Sequence, residues 1–267
     1  MSNTREPSST VARAHTRVQP GRLERGKSTA VASNVEYRLG KLEKYGLFSG
    51  DWLDCGCADG GYSIPIRQRG ARSVTGIDVE ADRIEQAKQR AAEANLSGMD
   101  FRIAATEHLP FGDQSFDVTI LNEVFEHVAD EHQSLLELYR VLRPGGTLVI
   151  MSPNRYFPFE GHGMLWGPLR TGNPVPLLPW LPMRWVAHTM TARNYWPHEL
   201  RDQVLDAGFT LIDLTSVFPV FEVYPWLPSF IIRWYRTNIN VIDQLPIVRK
   251  FGVSTLVIAR RPAAASA

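Results

Sequence analysis

The chain has 267 residues, 44% hydrophobic and 21% charged, which excludes disordered, collagen-like and disulfide-scaffolded classes and allows one enlarged α/β domain. Its 29 Lys and Arg against 28 Asp and Glu leave a formal charge of +1, so no global field recruits nucleic acid or an anionic membrane, and any such partner needs a local patch. Cys55 and Cys57 are too close in sequence for an unstrained bridge. With no signal-peptide pattern and no run of about 18 apolar residues, a cytoplasmic address without a membrane span is expected.

Residues 1–33 are rich in Ser, Thr, Arg and Gly, carry six basic against two acidic residues, and read as a flexible, solvated arm. Residues 34–267 read as one domain. Apolar spacing predicts a helix from Val35 to Tyr45, and short β-type runs then alternate with helical stretches. Strands are expected at 51–56, 73–78, 100–105, 116–122 and 147–152, and helices around 80–95 and 129–142, the latter carrying Leu135, Leu136, Tyr139 and Leu142 on one face. This rhythm predicts a doubly wound, mostly parallel sheet. Beyond Pro153 the texture changes: 11 of the 18 prolines fall between residues 153 and 228 and six of the seven tryptophans between 166 and 234. An insertion at about 155–195 and 217–250 is therefore expected to act as a lid. Between its two parts lies a helix from Pro197 through Leu205 and a strand at 209–216; a strand at 254–260 closes the sheet.

The first strand runs into Asp54-Cys55-Gly56-Cys57-Ala58-Asp59-Gly60-Gly61, a turn of small residues that lets backbone approach a ligand closely. Such a turn also suits a pyrophosphate at a helix N-terminus. The next strand ends in Gly76-Ile77-Asp78, placing a carboxylate where this architecture grips a ribose diol. Further along stand Glu107-His108-Leu109-Pro110-Phe111, Ser115-Phe116-Asp117-Val118, Glu126-His127-Val128 and Arg140-Val141-Leu142-Arg143-Pro144-Gly145-Gly146. In this order the set resembles the class I S-adenosylmethionine-dependent methyltransferases, closely over residues 45–155 and in outline over 190–260.

The resemblance implies a seven-stranded Rossmann-like sheet with the last strand antiparallel, and S-adenosylmethionine as the cofactor with S-adenosylhomocysteine as the product. It places Asp54, Gly56, Cys57 and Gly60 at the methionine end, Asp78 on the ribose hydroxyls and Val79 against adenine. Thr106 and Glu107 would supply main-chain contacts to adenine, and Asn122 would lie beside the donor methyl. Two residues depart from the family pattern: its middle glycine is Ala58, and the acidic residue that commonly meets the adenine amino group is Ala105.

O-methylation also requires loss of the acceptor's proton, and His127 and His162 are the candidate bases. Glu123-Val124-Phe125-Glu126-His127 also resembles a signature with which relatives acting on quinone precursors or RNA ends hold a divalent cation, with His162 as a further ligand. No metal ligand is assigned on this basis, and the alternative stays open. The proline-broken aromatic stretches suit a small-molecule, natural-product or lipid-linked glycan acceptor, with peripheral membrane contact. Oligomeric state is undetermined at this stage. The rivals are a nicotinamide-dependent oxidoreductase and a cofactor-binding protein without catalysis.

Overall fold

The computed structural model describes residues 32–162, 164–166, 169–170, 175–186, 188–190, 192–218 and 228–263. Residues 1–31 of the expected arm lie outside this set, as do residues 219–227 of the insertion. Seven strands form one sheet: β1 Asp51–Cys55, β2 Ser73–Asp78, β3 Met99–Ile103, β4 Phe116–Asn122, β5 Leu142–Pro153, β6 Thr210–Val217 and β7 Ser254–Arg260. Their spatial order is β6-β7-β5-β4-β1-β2-β3, with β7 antiparallel to both its neighbours and the other ladders parallel.

Both faces of this sheet are covered, which is why its central strands read as unbroken apolar runs rather than as alternation. Trp52, Val118, Ile120, Val149 and Leu256 face helix α1 (Ala32–Glu43), which contributes Val35, Leu39 and Leu42 at helical spacing. Leu53, Leu121, Ile150 and Val257 face α4 (Glu131–Val141) and α5 (Pro197–Asp206), which contribute Leu135, Leu138, Leu200 and Val204. Each such side chain, fully buried, is worth about 1.5–3 kcal/mol. The connections α2 (Ser63–Gln68) and α3 (Ala81–Glu93) complete the β1–β3 half, and α6 (Ser229–Ile242) precedes β7. Asp130 caps α4 by accepting the Gln133 N–H at 2.9 Å.

The strand and helix pattern expected from the sequence is present, with shifted ends. Helix α1 begins at Ala32, so the last two residues assigned to the arm are helical. Strand β5 begins at Leu142 instead of 147. Pro144 and the two glycines suggest a turn, but Phe116 pairs with Leu142 across a register shift, and Gly145 and Gly146 exchange backbone hydrogen bonds with Arg261. Among the described residues of the insertion's first part, structure consists of two-residue ladders, Phe159–Glu160 with Val175–Pro176 and Leu165–Trp166 with Leu169–Arg170, and of single turns; its second part holds α6. No helix among the described residues is long and apolar enough to cross a membrane.

At the sheet edge opposite the strand C-termini, Asp51 accepts hydrogen bonds from Arg72 Nε at 2.8 Å, Ser73 Oγ at 2.7 Å and Arg143 Nη1 at 3.1 Å. Asp117 adds a bond from the Asp51 N–H at 2.8 Å and an ion pair with Arg143 at 2.7 Å. These bonds tie β1, β2, β4 and the start of β5 together. The Arg72 hydrogen bond above all holds the Asp51 carboxyl well below the usual carboxylate range. A depressed folded-state pKa gives stability that is complete above the unfolded value and lost as pH falls below it. Asp51→Asn should therefore cost on the order of 1 kcal/mol at neutral pH, and the difference should shrink below about pH 4, measured by denaturant titration at several pH values.

Candidate active site

A cleft of about 1040 Å³ opens along the C-terminal ends of β1, β2, β3 and β4. It lies where strand order reverses between β1 and β4, the place where open α/β sheets bind ligands. The turn after β1 forms its floor. Gly56 sits at φ +69°, and a Cβ there would meet Val124 Cγ2 at 2.3 Å, so only glycine lets the turn pass beneath the end of β4. Ala58 holds φ 48°, a left-handed conformation that the family's glycine adopts freely. The Ala58 N–H donates to Asp78 Oδ2 at 3.0 Å, and Asp78 Oδ1 accepts the Glu80 N–H at 2.9 Å. Asp78 is thus fixed at the end of β2 on the cleft wall.

The sequence-predicted cofactor residues divide. Gly56, Cys57, Asp78, Val79, Thr106, Glu107 and Asn122 all line the cleft. Asp54 and Gly60 do not. Asp54 is buried behind the turn, accepting from Ser63 Oγ at 2.6 Å; burial pushes its carboxyl up to about 7 against the pull of that bond. Gly60 packs inward, where a Cβ would lie 3.5 Å from Ala87 and Ile64, and Gly61 reaches the wall instead. Glu107 turns its carboxylate toward the β4–α4 loop and accepts the Ala129 N–H at 2.6 Å. Ala105 lines the cleft, so no acidic side chain stands at that position.

Asn34, Arg38 and Tyr62 are among the wall residues that escaped the sequence reading. Arg38 is buried on the inner face of α1, bonding Asn122 Oδ1 and Glu123 Oε1 at 2.7 Å each and Ser254 Oγ at 2.9 Å. Burial works against its charge, but the Glu123 carboxylate outweighs that and raises its pKa. A sequence signal existed: Arg38 stands three residues after Val35 and four before Leu42, on the stripe that should be apolar.

At the end of β4 a polar cluster borders the cleft. His127 lines it; His162 does not, but its ring packs edge-on against His127 with centroids 5.2 Å apart. Glu126 is buried, with Oε2 accepting from Ser152 Oγ at 3.0 Å and Oε1 lying 3.9 Å from Nε2 of both histidines. Glu126 Oε1 has no hydrogen-bond partner among the described residues. Burial and the nearby Glu123 push the Glu126 carboxyl up. Burial, then His162, push His127 down to about 4. Burial also opposes a charged His162, but the Nδ1 contact with Glu160 at 3.0 Å and the Glu126 charge outweigh it and push that imidazole up to about 9. The alternative metal set of Glu123, Glu126, His127 and His162 does not assemble whole: Glu123, at φ 54°, is held by Arg38 and Ser254. The other three offer ligand atoms within 4.8 Å of one another.

The end of the insertion's first part secures this loop. Arg193 Nη1 donates to Val128 O at 2.7 Å, Tyr195 bonds Glu131, and Asn194 bonds Glu160.

Residues 53–150 match the family model described as "Methyltransferase domain". A ubiquinone biosynthesis O-methyltransferase of Mesorhizobium japonicum is 33% identical over 201 residues, covering 75% of this chain and 73% of that protein. The chain belongs to the class I S-adenosylmethionine-dependent methyltransferases. A protein of the same description from Brucella melitensis is 28% identical over 212 residues, covering 79% of this chain and 73% of that protein. The fold is shared with a SAM-dependent methyltransferase of Aquifex aeolicus at TM-score 0.56 and 17% identity, over 86% of this chain and 93% of that one. Membership makes the protein an enzyme whose family uses S-adenosylmethionine, and it displaces the nicotinamide and binding-only readings. The glycine-floored turn and a fixed carboxylate at the end of β2 fit that cofactor. Asp78→Ala should weaken S-adenosylmethionine binding by about tenfold or more, the loss of a charge-assisted hydrogen bond. Calorimetry checks this, and unchanged affinity would remove the ribose assignment.

Proposed function

We propose that the chain methylates a hydroxyl of a small, largely apolar acceptor, with Asp78 and the residue 56–58 turn holding the donor and His127 taking the hydroxyl proton. The observation that carries this is the placing of an uncharged imidazole, His127, on the wall of the cleft at the end of β4, beside Asn122. S-adenosylmethionine supplies a sulfonium-activated methyl, which leaves S-adenosylhomocysteine after in-line displacement. Such a displacement needs alignment, worth about 7–11 kcal/mol when well made. The proton lost from the hydroxyl passes to His127, while His162, charged against Glu160 and Glu126, fixes the ring of His127 edge-on. Buried Arg155 donates to the carbonyls of Pro179 at 2.7 Å and Leu181 at 2.8 Å and so holds together the Pro- and Trp-rich insertion, which we assign as the lid on the acceptor side. The names of the curated relatives support oxygen as the acceptor atom and a quinone precursor as the acceptor class; a lipid-linked glycan is the broader alternative. His127→Ala should lower turnover by about 10²–10⁴ while cofactor affinity stays near normal, read from kcat and calorimetry. A fully active variant would acquit the residue.

A divalent cation is a second reading, favoured by the buried, unpartnered Glu126 Oε1 facing two imidazoles. Glu126, His127 and His162 would hold it, and it would acidify the acceptor hydroxyl. Chelator-treated enzyme titrated calorimetrically with Mg²⁺, Mn²⁺ and Zn²⁺ separates the two. Stoichiometric binding lost in Glu126→Gln would support the cation; no binding, with full activity in chelator, would leave His127 as the base.

A further inference from the structure

Helix α6 carries an outward ridge that the methyltransferase fold does not use. Phe230, Trp234 and Val241 recur at helical spacing and are 71%, 62% and 63% exposed, while Ile239 is buried on the opposite side. The ridge continues past the helix through exposed Leu245, Ile247 and Phe251. The ring of Phe251 lies 6.4 Å from that of Tyr156, whose carbonyl accepts the Trp180 indole N–H at 3.3 Å. Exposed Trp180, Leu181 and Trp185 of the insertion therefore adjoin it. Soluble monomers rarely expose so large a contiguous apolar surface without a partner.

The charges within these stretches are positive but for one. Residues 175–186 and 228–251 contain Arg184, Arg233, Arg236, Arg249 and Lys250 against a single acidic residue, Asp243. Asp243 is itself paired with Lys41 of α1. Aromatic side chains mixed with arginine and lysine, on a 14-residue helix and neighbouring single turns too short to span a bilayer, match what an anionic membrane surface binds: rings enter the headgroup boundary while the cations meet lipid phosphates. A second copy of the chain would bring four exposed like charges, Arg184, Arg233, Arg249 and Lys250, against four.

We infer that α6 and the adjoining residues 175–186 and 247–251 form a docking face for an anionic lipid bilayer, holding the enzyme at the membrane surface without crossing it. Docking stands independently of the acceptor's identity and of the proton acceptor at the site.

Flotation of the full chain with vesicles tests this, using phosphatidylglycerol mixed into phosphatidylcholine against phosphatidylcholine alone. The expected result is binding to the anionic vesicles that weakens as salt is raised, with tryptophan emission shifted to the blue. The double variant Phe230→Ser with Trp234→Ser should bind them about tenfold less or weaker still, with thermal unfolding and S-adenosylmethionine affinity unchanged, because both side chains are exposed. Three results would overturn the inference. The first is no binding to anionic vesicles. The second is equal binding by the double variant, which would move attachment elsewhere, to the basic residues 1–31 for example. The third is a lipid-free dimer, seen by sedimentation velocity, that the double variant dissociates, which would assign the ridge to a second copy.

Discussion

The turn after β1 is gripped from two sides, and the cleft exists because of that grip. On one side the Asp78 carboxylate accepts the Ala58 N–H; on the other Val124 closes over Gly56 at a distance no Cβ would permit. The first contact joins β1 to β2 and the second joins it to the end of β4. Between them they fix the three strand ends that any donor bound here must touch. Ala58 adopts its left-handed conformation within this grip, at a strain of about 1–2 kcal/mol that the surrounding contacts must offset.

The end of the cleft at β4 depends on a different balance, that of buried charge. Glu126 and Glu160 are both buried, as are Arg38 and Arg193. An isolated buried charge is costly, and each of these has a partner or a nearby opposite charge. Arg38 draws Glu123 toward α1, which leaves Glu126 facing the two histidines alone. The pull of Arg38 is thus what converts a run of residues resembling a metal signature into a three-residue cluster. Because Arg38 belongs to the first helix and its partner Ser254 to the last strand, while Asn194 and Tyr195 close the insertion's first part, the site draws on segments far apart in the chain.

Most of the fold was legible because its strands are buried on both faces and its helices amphipathic, so periodicity and burial coincide. Boundaries failed where small residues blur that signal. Ala32 and Ser33 add nothing to the apolar pattern yet extend α1, and Pro144, Gly145 and Gly146 read as a turn although their backbone enters the β5 edge. The residues that line the cleft were legible where a motif sits at a strand end, as with Gly56 and Asp78. Arg38 was hidden because its partners are 84 and 216 residues away, and no local spacing records so distant a contact. Asp54 and Gly60 belong to the motif but face inward, since a tight turn alternates between the ligand side and the core side.

The central claim, that this cleft carries a methyl group to a hydroxyl, is tested most directly by following the methyl carbon. The enzyme would be incubated with S-adenosylmethionine labelled at the methyl and a catechol bearing an apolar tail, and the product examined by carbon NMR. The account predicts a new labelled carbon bonded to oxygen, formed in step with S-adenosylhomocysteine. A label bonded to carbon or nitrogen would contradict it, because neither the proton-accepting role of His127 nor the hydroxyl acceptor would then be needed.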